Sequence, residues 1–293
     1  MPSNNGLLFF NPSSGSKLPQ GEFEPAAREA GFEVVALSPE VDVPAMIRDR
    51  RGRGVTLFVA AGGDGTVNHV LQGVANTDSV LAVIPVGTYN HFARDLGIPL
   101  KLREAAEVIA RGTERRVDVA EMNGRIFINN SAIGLYPLMV VDRDLQRVRL
   151  GRSKRLALAV ASLRTLARFH HQRLTLTIND EERSRVDTPL LFVGNNDYRI
   201  DLGAPGRRAS IDAGELCVMV MRKKTRRGVI AASIRALFGR ARADDMVRID
   251  GVERLRVGSR RSQLPVSLDG EVVRAAPPLD YKIRKRALRV IAP

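Results

Sequence analysis

The stretch that decides the fold is Val55–Asn68, which reads VTLFVAAGGDGTVN. Its first part, Val55–Ala60, has the length and apolar composition of a buried strand, and a helical pattern follows from about Val67 to Val74. A glycine-rich turn lies between them. A strand joined to a helix by a short turn is the building unit of a parallel α/β sheet, and such sheets bind ligands at these turns. The stretch therefore predicts an α/β domain with a ligand site.

The glycine turn has the composition of a phosphate-binding loop. Glycines allow the backbone to approach a phosphate closely, and the free N–H groups at the start of a helix favour negative charge. Asp64 stands among these glycines, where its carboxylate would repel a phosphate unless Mg²⁺ or a proton lay between them. We therefore predict that Asp64 is a metal–nucleotide ligand or a catalytic acid or base. The alternative is an ordinary Gly-Asp-Gly turn, and the loop is neither a Walker A motif nor a GxGxxG fingerprint.

Two further turns have the same arrangement. The apolar run Gly6–Asn11 ends in Pro-Ser-Ser-Gly, and the strand pattern Val80–Pro85 ends in Val-Gly-Thr before a helix that begins near Tyr89. Thr88 in the second of these turns has a hydroxyl that can bind a phosphate or cap the helix. The other α/β signals are a strand at Phe32–Leu37 and a helix at Val43–Arg51. Three turns thus follow strands of one predicted parallel sheet.

The pattern changes after about Asp118 to short β-rich segments. They are Arg125–Asn130, Leu174–Ile178, Leu190–Gly194, Leu216–Met221, Arg254–Val257, Val266–Leu268 and Leu288–Ile291. Helical patterns here are confined to roughly Ser153–Phe169 and Val229–Phe238. This half of the sequence predicts a second, mainly antiparallel domain.

The composition excludes several classes of protein. Hydrophobic residues make up 44% of the 293 residues, which is too many for a disordered chain. No run approaches the ~20 apolar residues that span a bilayer. The first ten residues lack a basic stretch, so we expect no secretory signal and a cytoplasmic protein. A single cysteine, Cys217, excludes an intrachain disulfide framework and a cysteine-rich metal site.

The charge indicates an anionic partner. Lys and Arg number 46 against 32 Asp and Glu, a net charge of +14, with clusters at Arg147–Arg155 and Arg222–Arg227. Such a surplus attracts nucleic acid, nucleotide phosphates or anionic lipid, although an arginine-rich proteome gives the same composition. With four Tyr and no Trp the chain is poorly equipped for base stacking. We therefore expect an anionic membrane surface as a partner and no nucleic acid.

A late segment, Leu268–Glu271, carries two carboxylates around a glycine at the end of a predicted strand. An enzyme that transfers a phosphoryl group needs a carboxylate to take the proton of the acceptor hydroxyl. An isolated Asp-Gly-Glu is also a common hairpin turn, so the segment alone does not distinguish the two.

The motifs NPSSG, GGDGTVN, PVGTYNHFARDLGIP and the late DGE, in this order and spacing, resemble the bacterial diacylglycerol kinase family, including the YegS-type lipid kinases. The resemblance extends from about Gly6 to Ile291. It implies an α/β N-terminal domain with a parallel sheet and a C-terminal β-rich domain, antiparallel and sandwich-like, with the nucleotide cleft between them. The implied domains are residues 1–120, onto which residues 282–293 pack back, and residues 121–281.

The resemblance also implies an activity. It is the Mg²⁺- and ATP-dependent phosphorylation of a hydroxyl on diacylglycerol or a similar membrane lipid, by a cytoplasmic enzyme attached peripherally to the membrane, with a homodimer as one option. The alternatives are a kinase for a sphingoid or polyprenol lipid and a catalytically impaired relative that binds nucleotide or lipid. An NAD kinase shares a Gly-Gly-Asp-Gly loop but does not account for NPSSG or PVGTYN.

The resemblance assigns roles to individual residues. ATP would be bound by Asn11, Ser38, Gly62, Gly63, Asp64, Gly65, Thr66, Asn68, Gly87 and Thr88. Glu271 would be the general base, with Asp269 as its partner and Asp64 as a further catalytic residue. Asp118 and Asp212 would belong to a structural Mg²⁺ site.

Three positions and one segment depart from the family's pattern. His69 and His91 stand where relatives usually have a glutamate and an aspartate. Asp212 lies one residue earlier than the usual Asp-Gly pair, which in an extended segment turns its side chain to the other face. The glycine-rich stretch of relatives is replaced by Gly194–Arg199. These departures bear on the structural Mg²⁺ site and on the residues near the nucleotide.

Overall fold

The structure, a computed structural model, describes residues 6–12, 14, 20–135, 137, 171–197, 208, 210–223, 225–237 and 245–293. They fall into two units. The first contains the described residues of Met1–Val119 together with Arg284–Pro293, and the second contains those of Ala120–Ile283. Two strands, β5 (Thr113–Met122) and β16 (Leu279–Ala292), contribute residues to both.

The first unit is built on a parallel sheet. Its strands besides β16 are β1 (Gly6–Phe10), β2 (Phe32–Ala36), β3 (Leu57–Gly62) and β4 (Val80–Pro85). They lie in the order β2-β1-β3-β4-β16, and each neighbouring pair is parallel. The helices are α1 (Gln20–Glu29), α2 (Val43–Gly52), α3 (Asp64–Val74), α4 (His91–Asp95) and α5 (Leu102–Arg111). Every residue of β1 and β4 is buried, as expected for parallel strands that are covered on both faces.

Alternate side chains along a strand of the first unit point to opposite faces of the sheet, and those on one face form a hydrophobic cluster. Leu8 and Phe10 of β1 pack in a cluster with Phe23 of α1 and Ile84 of β4. On α3, a Cβ at Gly73 would lie 2.8 Å from the Cδ1 of Ile47 in α2, so glycine there permits close packing of the two helices.

The second unit consists of two antiparallel arrangements. The described strands are β6 (Arg125–Phe127), β7 (Asn130–Gly134), β8 (Gln172–Ile178), β9 (Glu182–Thr188), β10 (Leu190–Asn195), β11 (Leu216–Met221), β12 (Met246–Val252), β13 (Arg254–Ser259), β14 (Leu264–Leu268) and β15 (Glu271–Ala275). One sheet has the order β12-β11-β10-β7-β14-β15, while β16, β13, β8 and β9 are neighbours in the other. Helix α6 (Arg226–Leu237) follows β11.

Side chains from both sheets form the core of the second unit. Leu174 and Val257 from one sheet pack in the same cluster as Ile133, Val218 and Val266 from the other. This is the sandwich-like antiparallel architecture that the sequence predicts. None of the helices in the described part of the chain combines the length and apolar character needed to cross a bilayer.

Several element boundaries differ from the sequence-based predictions. The deciding strand runs from Leu57 to Gly62 and α3 begins at Asp64, because Gly62 stays in register with Pro85 and the N–H of Val67 already donates to the carbonyl of Gly63. The strand predicted at Arg125–Asn130 is two strands, β6 and β7, separated at Ile128 and Asn129. The helix predicted at Ser153–Phe169 lies outside the described residues.

Candidate functional site

The first glycine loop joins β3 to α3 with little room for side chains. A Cβ at Gly62 would lie 2.1 Å from the Oγ1 of Thr66, so only glycine leaves space for this threonine. The hydroxyl of Thr66 is buried and has no hydrogen-bond partner in the part of the chain that the structure describes. Gly63 caps α3 without a side chain, and a helix leaves the N–H groups of its first residues without acceptors inside the helix. The loop therefore presents backbone donors suited to an anion.

The second glycine loop packs directly against the first. A Cβ at Gly87 would lie 2.3 Å from the Cα of Gly63, and a Cβ at Gly63 would lie 3.2 Å from the Cα of Gly87. The N–H of Val86 also donates to the carbonyl of Gly62 at 3.1 Å. The two loops thus meet backbone to backbone, which requires glycine at position 87 and leaves little room for a side chain at position 63.

Asn90 fixes the second loop, a role that the sequence did not predict. Its side-chain Oδ1 accepts from the N–H of Gly87 at 3.0 Å, and its Nδ2 donates to the carbonyl of Gly87 at 2.9 Å. The residue is buried and has a left-handed backbone with φ of 52°. Asparagine tolerates this conformation better than most residues. The only sequence signal is its place before a short helix, which does not reveal the paired hydrogen bonds.

Asn90→Ala is expected to destabilise the first unit by about 2–4 kcal/mol, through two lost hydrogen bonds and an unfavourable left-handed alanine. Asn90→Gly loses the same bonds but adopts the backbone freely, so its loss should be smaller by about 1 kcal/mol. Urea unfolding of both variants measures the difference. A loss below about 0.5 kcal/mol in Asn90→Ala would show that the clamp on Gly87 contributes nothing.

Other predicted nucleotide residues lie at the same edge of the parallel sheet. Asn11 follows β1, and its N–H donates to the carbonyl of Ala61 at 3.1 Å. Ser38 follows β2, next to Leu37, whose N–H donates to the carbonyl of Phe10. Since β1, β2, β3 and β4 are parallel, their carboxyl ends bring Asn11, Ser38 and both glycine loops to one edge. Ser13 and Gly15 of the first turn lie outside the described residues.

The remaining predicted residues of this edge are placed on or beside the helices. Thr88 is exposed in the second loop. Asn68 lies in α3, where its Oδ1 accepts from the Nε2 of Gln72 at 2.7 Å. His69 is exposed on the same helix, and the ring of His91 stacks on Tyr89 with 5.6 Å between centroids.

Asp64 is the carboxylate of this edge that suits a nucleotide-bound metal. It is the first residue of α3, only partly exposed, and the loop's backbone donors are beside it. Mg²⁺ in phosphate-binding sites is held by one or two carboxylates together with the phosphates of the substrate. Asp64 alone therefore fits a Mg²⁺ ion that arrives with a nucleotide.

The side chains predicted to bind a separate structural Mg²⁺ fit such an ion less well than Asp64 fits a nucleotide-bound one. Asp118 is buried in the first unit, where its Oδ1 accepts from the N–H of Arg286 at 2.7 Å. Asp212 is exposed in the second unit, and its Oδ1 bonds to the Oγ of Ser210 at 2.6 Å. Within the described ranges, no three His, Cys, Asp or Glu side chains form a group that could hold a metal. Asp118 and Asp212 therefore stay predicted ligands.

Asp269 is an anchor for a distant segment of the second unit. Asp269 and Gly270, with φ of 47° and 88°, connect β14 to β15 as a two-residue hairpin turn. The Asp269 carboxylate accepts three backbone N–H bonds, from Ile128 at 2.9 Å, Asn129 at 2.8 Å and Asn130 at 3.0 Å. These bonds explain why β6 and β7 are two strands. The geometry supports a positioning role for Asp269.

The environment of Asp269 also changes its acidity. Burial raises the pKa of Asp269 to about 6, although the three backbone donors and the nearby Arg208 favour its charged form. The folded protein therefore holds this proton at a higher pH than the unfolded chain, in which aspartate titrates near 4.

The pH dependence of stability tests this balance. As pH rises from 4 to 6, the unfolded state releases the proton first, so the stabilisation that protonated Asp269 gives the fold is progressively lost. Relative to Asp269→Asn, the unfolding free energy of the wild type should fall by roughly 2 kcal/mol over this window. Denaturant titrations of both proteins at several pH values measure the difference. A rise in place of the fall would mean that the backbone donors outweigh burial.

Glu271 is the exposed carboxylate of the same hairpin. It is the first residue of β15 and is paired in register with Leu268 of β14. The turn thus fixes the backbone of Glu271, and the residue is exposed. Asp269 bonds to the backbone of residues 128–130, whereas Glu271 is the more exposed of the two residues.

Some predicted features cannot be placed. The basic cluster Arg147–Arg155 and the Tyr198–Arg199 pair lie outside the described residues. Within Arg222–Arg227 the structure describes every backbone position except Lys224, and the segment leads into α6.

Two family models match the chain. The diacylglycerol kinase catalytic domain matches residues 5–122, and the YegS C-terminal NAD kinase beta sandwich-like domain matches residues 139–292. Diacylglycerol kinases of Staphylococcus aureus strains JH9 and Newman are both 38% identical over 134 residues. That stretch is 43% of this chain and 42% of each relative, so the chain covers less than half of their length.

Solved structures share the fold over nearly the whole chain. A putative diacylglycerol kinase from Bacillus anthracis has a TM-score of 0.76 at 22% identity, covering 100% of this chain and 98% of that one. A diacylglycerol kinase structure from the same species gives 0.71 at 20% identity, with the same coverage. An NAD kinase from Archaeoglobus fulgidus in complex with ATP gives 0.53 at 12% identity, covering 98% and 93%. At these identities the similarity concerns the fold.

Proposed function

The chain belongs to the diacylglycerol kinase family, and on that premise we propose that it transfers the γ-phosphate of ATP to a hydroxyl of diacylglycerol or a similar membrane lipid. The observation that carries the proposal is the contact between the two glycine loops. A Cβ at Gly87 would come within 2.3 Å of Gly63, so the chain maintains two side-chain-free backbones at the ligand-binding edge of its sheet.

We propose that ATP lies with its phosphates on these loops in the first unit. The N–H groups at the start of α3 would donate to the phosphate oxygens, and the side chain of Thr66, which packs closely against Gly62, would hold the loop in place. Asn90 holds the second loop through Gly87, so it acts as a positioning residue. Asn11 and Ser38, at the neighbouring strand ends, extend the proposed nucleotide site along the edge.

Asp64 would hold a Mg²⁺ ion together with the nucleotide. When bound, Mg²⁺ neutralises charge on the phosphates and favours transfer of the γ-phosphoryl group. The protein places a single carboxylate at the N-terminus of α3, beside the backbone N–H groups that would bind the phosphates. Without a cation, Asp64 would repel the nucleotide, so binding of ATP should depend on Mg²⁺.

We propose Glu271 as the general base, on the strength of its match to the family's motif and its exposed position in the hairpin. The lipid hydroxyl oxygen forms a bond to the γ-phosphorus while the bond from that phosphorus to the β–γ bridging oxygen breaks. The hydroxyl proton passes to the Glu271 carboxylate, and ADP leaves. Asp269 positions the hairpin through its bonds to residues 128–130.

These assignments give the two units different roles. We propose that the first unit binds nucleotide and that the second unit provides the base and binds the lipid. Incubation of the purified protein with γ-labelled ATP and an extracted lipid mixture, followed by identification of the labelled product, tests the substrate class. Label in a lipid phosphomonoester supports the proposal, whereas label confined to inorganic phosphate or to water-soluble acceptors contradicts it.

A further inference from the structure

The second unit has an open groove of about 970 Å³ on the face of β8, β9 and β13. Five arginines line it, and we call it the arginine groove: Arg173, Arg183, Arg185, Arg256 and Arg260. None of the residues assigned above to the nucleotide, the metal or the base belongs to it. Its charge is therefore not explained by the proposed reaction.

Strand register explains why these arginines share one face. Leu174 and Leu176 of β8 turn into the core, so the alternate residues of that strand face the groove. Arg256 of β13 lies beside Thr177 of β8, which in turn lies beside Arg183 of β9. The next row across the same strands contains Gly258, Thr175 and Arg185. Guanidinium groups and threonine hydroxyls thus alternate across the groove.

Most of this charge is not neutralised within the protein. Three acidic residues line the groove: Asp180, which is bonded to Arg254 at 2.9 Å, Asp187, which lies 3.4 Å from the Nδ1 of His171, and Glu181. Among the described residues, four of the groove arginines take part in neither a hydrogen bond nor an ion pair of their side chains: Arg173, Arg183, Arg185 and Arg260. Four guanidinium groups are therefore available to an external anion.

The chemistry of the lining matches phosphate esters. A guanidinium presents a planar fork of donors that binds phosphate oxygens in pairs, and the hydroxyls of Thr175 and Thr177 add shorter donors on the floor. Gly258 has no side chain, so it adds nothing to the base of the groove beside Thr175, where a Cβ would lie 3.6 Å from the nearest atom. We propose that the arginine groove binds the phosphate headgroups of an anionic lipid surface and holds the enzyme on the membrane that contains its acceptor.

The choice of a lipid surface rests on the proposed function, and the lining supports it. No aromatic residue lines the groove, so nucleic-acid bases have no stacking platform there. Charge on a terminal strand such as β9 also prevents unwanted strand pairing. That role does not require Arg173 on β8, Arg260 beyond β13, or the threonines between them.

Co-sedimentation with vesicles tests the proposal. The double variant R183Q/R185Q should partition onto vesicles containing phosphatidylglycerol on the order of 25-fold less than the wild type, from about fivefold per arginine near an anionic surface. Binding should weaken with added salt, and vesicles of phosphatidylcholine alone should bind neither protein. The matched control R48Q/R51Q removes the same charge from α2, and its loss should be at least about fivefold smaller.

Equal losses in the two double variants, or no loss in R183Q/R185Q, would overturn the proposal and leave the groove as a solvated surface. Displacement from vesicles by millimolar inorganic phosphate would assign the groove to a free anion, and retention of a single-stranded oligonucleotide by the wild type alone would assign it to nucleic acid. Turnover on lipid dispersed in neutral detergent should be unchanged in R183Q/R185Q. Because the vesicle assay needs no turnover, a failure of the kinase proposal is distinguishable from a failure of this one.

Discussion

Replacing Gly87 with alanine is expected to lower the affinity for Mg·ATP by at least about 100-fold, since it would displace the loop that supplies charge-assisted hydrogen bonds to the phosphates. The added Cβ would lie 2.3 Å from the Cα of Gly63 and 2.8 Å from the Oδ1 of Asn90. The first of these atoms belongs to the backbone, so no side-chain rotation relieves the contact. The two loops must move apart, and the phosphate donors move with them.

Calorimetric titration with Mg·ATP measures this loss. Gly52→Ala in α2 is the matched control, because a Cβ there has no heavy atom within 4 Å. Circular dichroism should show that both variants are folded. Wild-type affinity in a folded Gly87→Ala protein would mean that the nucleotide does not use the two glycine loops.

The second large effect is expected at Glu271. Glu271→Gln preserves the shape of the side chain but removes the basic oxygen, so kcat on a lipid acceptor should fall by about 10²- to 10⁴-fold. The affinity for ATP should stay within about twofold, because the phosphate donors that we propose are in the first unit, on loops that this substitution does not alter. The hairpin should be retained, since Asp269 and Gly270 form its turn.

Asp64→Asn and Asp269→Asn distinguish the roles of the three carboxylates. Asp64→Asn should weaken the binding of Mg·ATP as well as turnover, whereas Asp269→Asn should alter stability and the position of the hairpin. If Glu271→Gln keeps full activity while Asp269→Asn is inactive in a folded protein, the roles of base and positioning residue are exchanged. Full activity in both would place the base elsewhere, and His69 and His91 would be tested next.

The sequence predicted the fold class. It also predicted that the glycine loops lie close together, and the reason is the geometry of a parallel sheet. Parallel strands all end at one edge, so residues that follow successive strands, such as Asn11, Gly63 and Gly87, must meet there. The buried strand Val80–Pro85 was predicted with its observed bounds because it is continuously apolar and ends in a glycine turn. Where burial of a local run decides the structure, local sequence is sufficient.

Features that depend on the path of a loop, on a distant partner or on a polar strand face were not predictable. The left-handed backbone of Asn90 and its bonds to Gly87 depend on the path of the loop rather than on composition. The break between β6 and β7 is produced by Asp269, which lies 140 residues from Asn129 in the chain. Strand β9, ERSRVDT, was missed because one of its faces carries arginines and its apolar content is low.

The central claim is tested most directly by measuring ADP release together with lipid phosphorylation. The purified protein is supplied with Mg·ATP and, in separate reactions, diacylglycerol in anionic vesicles, NAD, or no acceptor. The account predicts ADP release with diacylglycerol, matched one to one by a phosphorylated lipid, abolished in Asp64→Asn and near background with NAD. Stoichiometric phosphorylation of NAD, or ADP release that is the same with and without lipid, would contradict it.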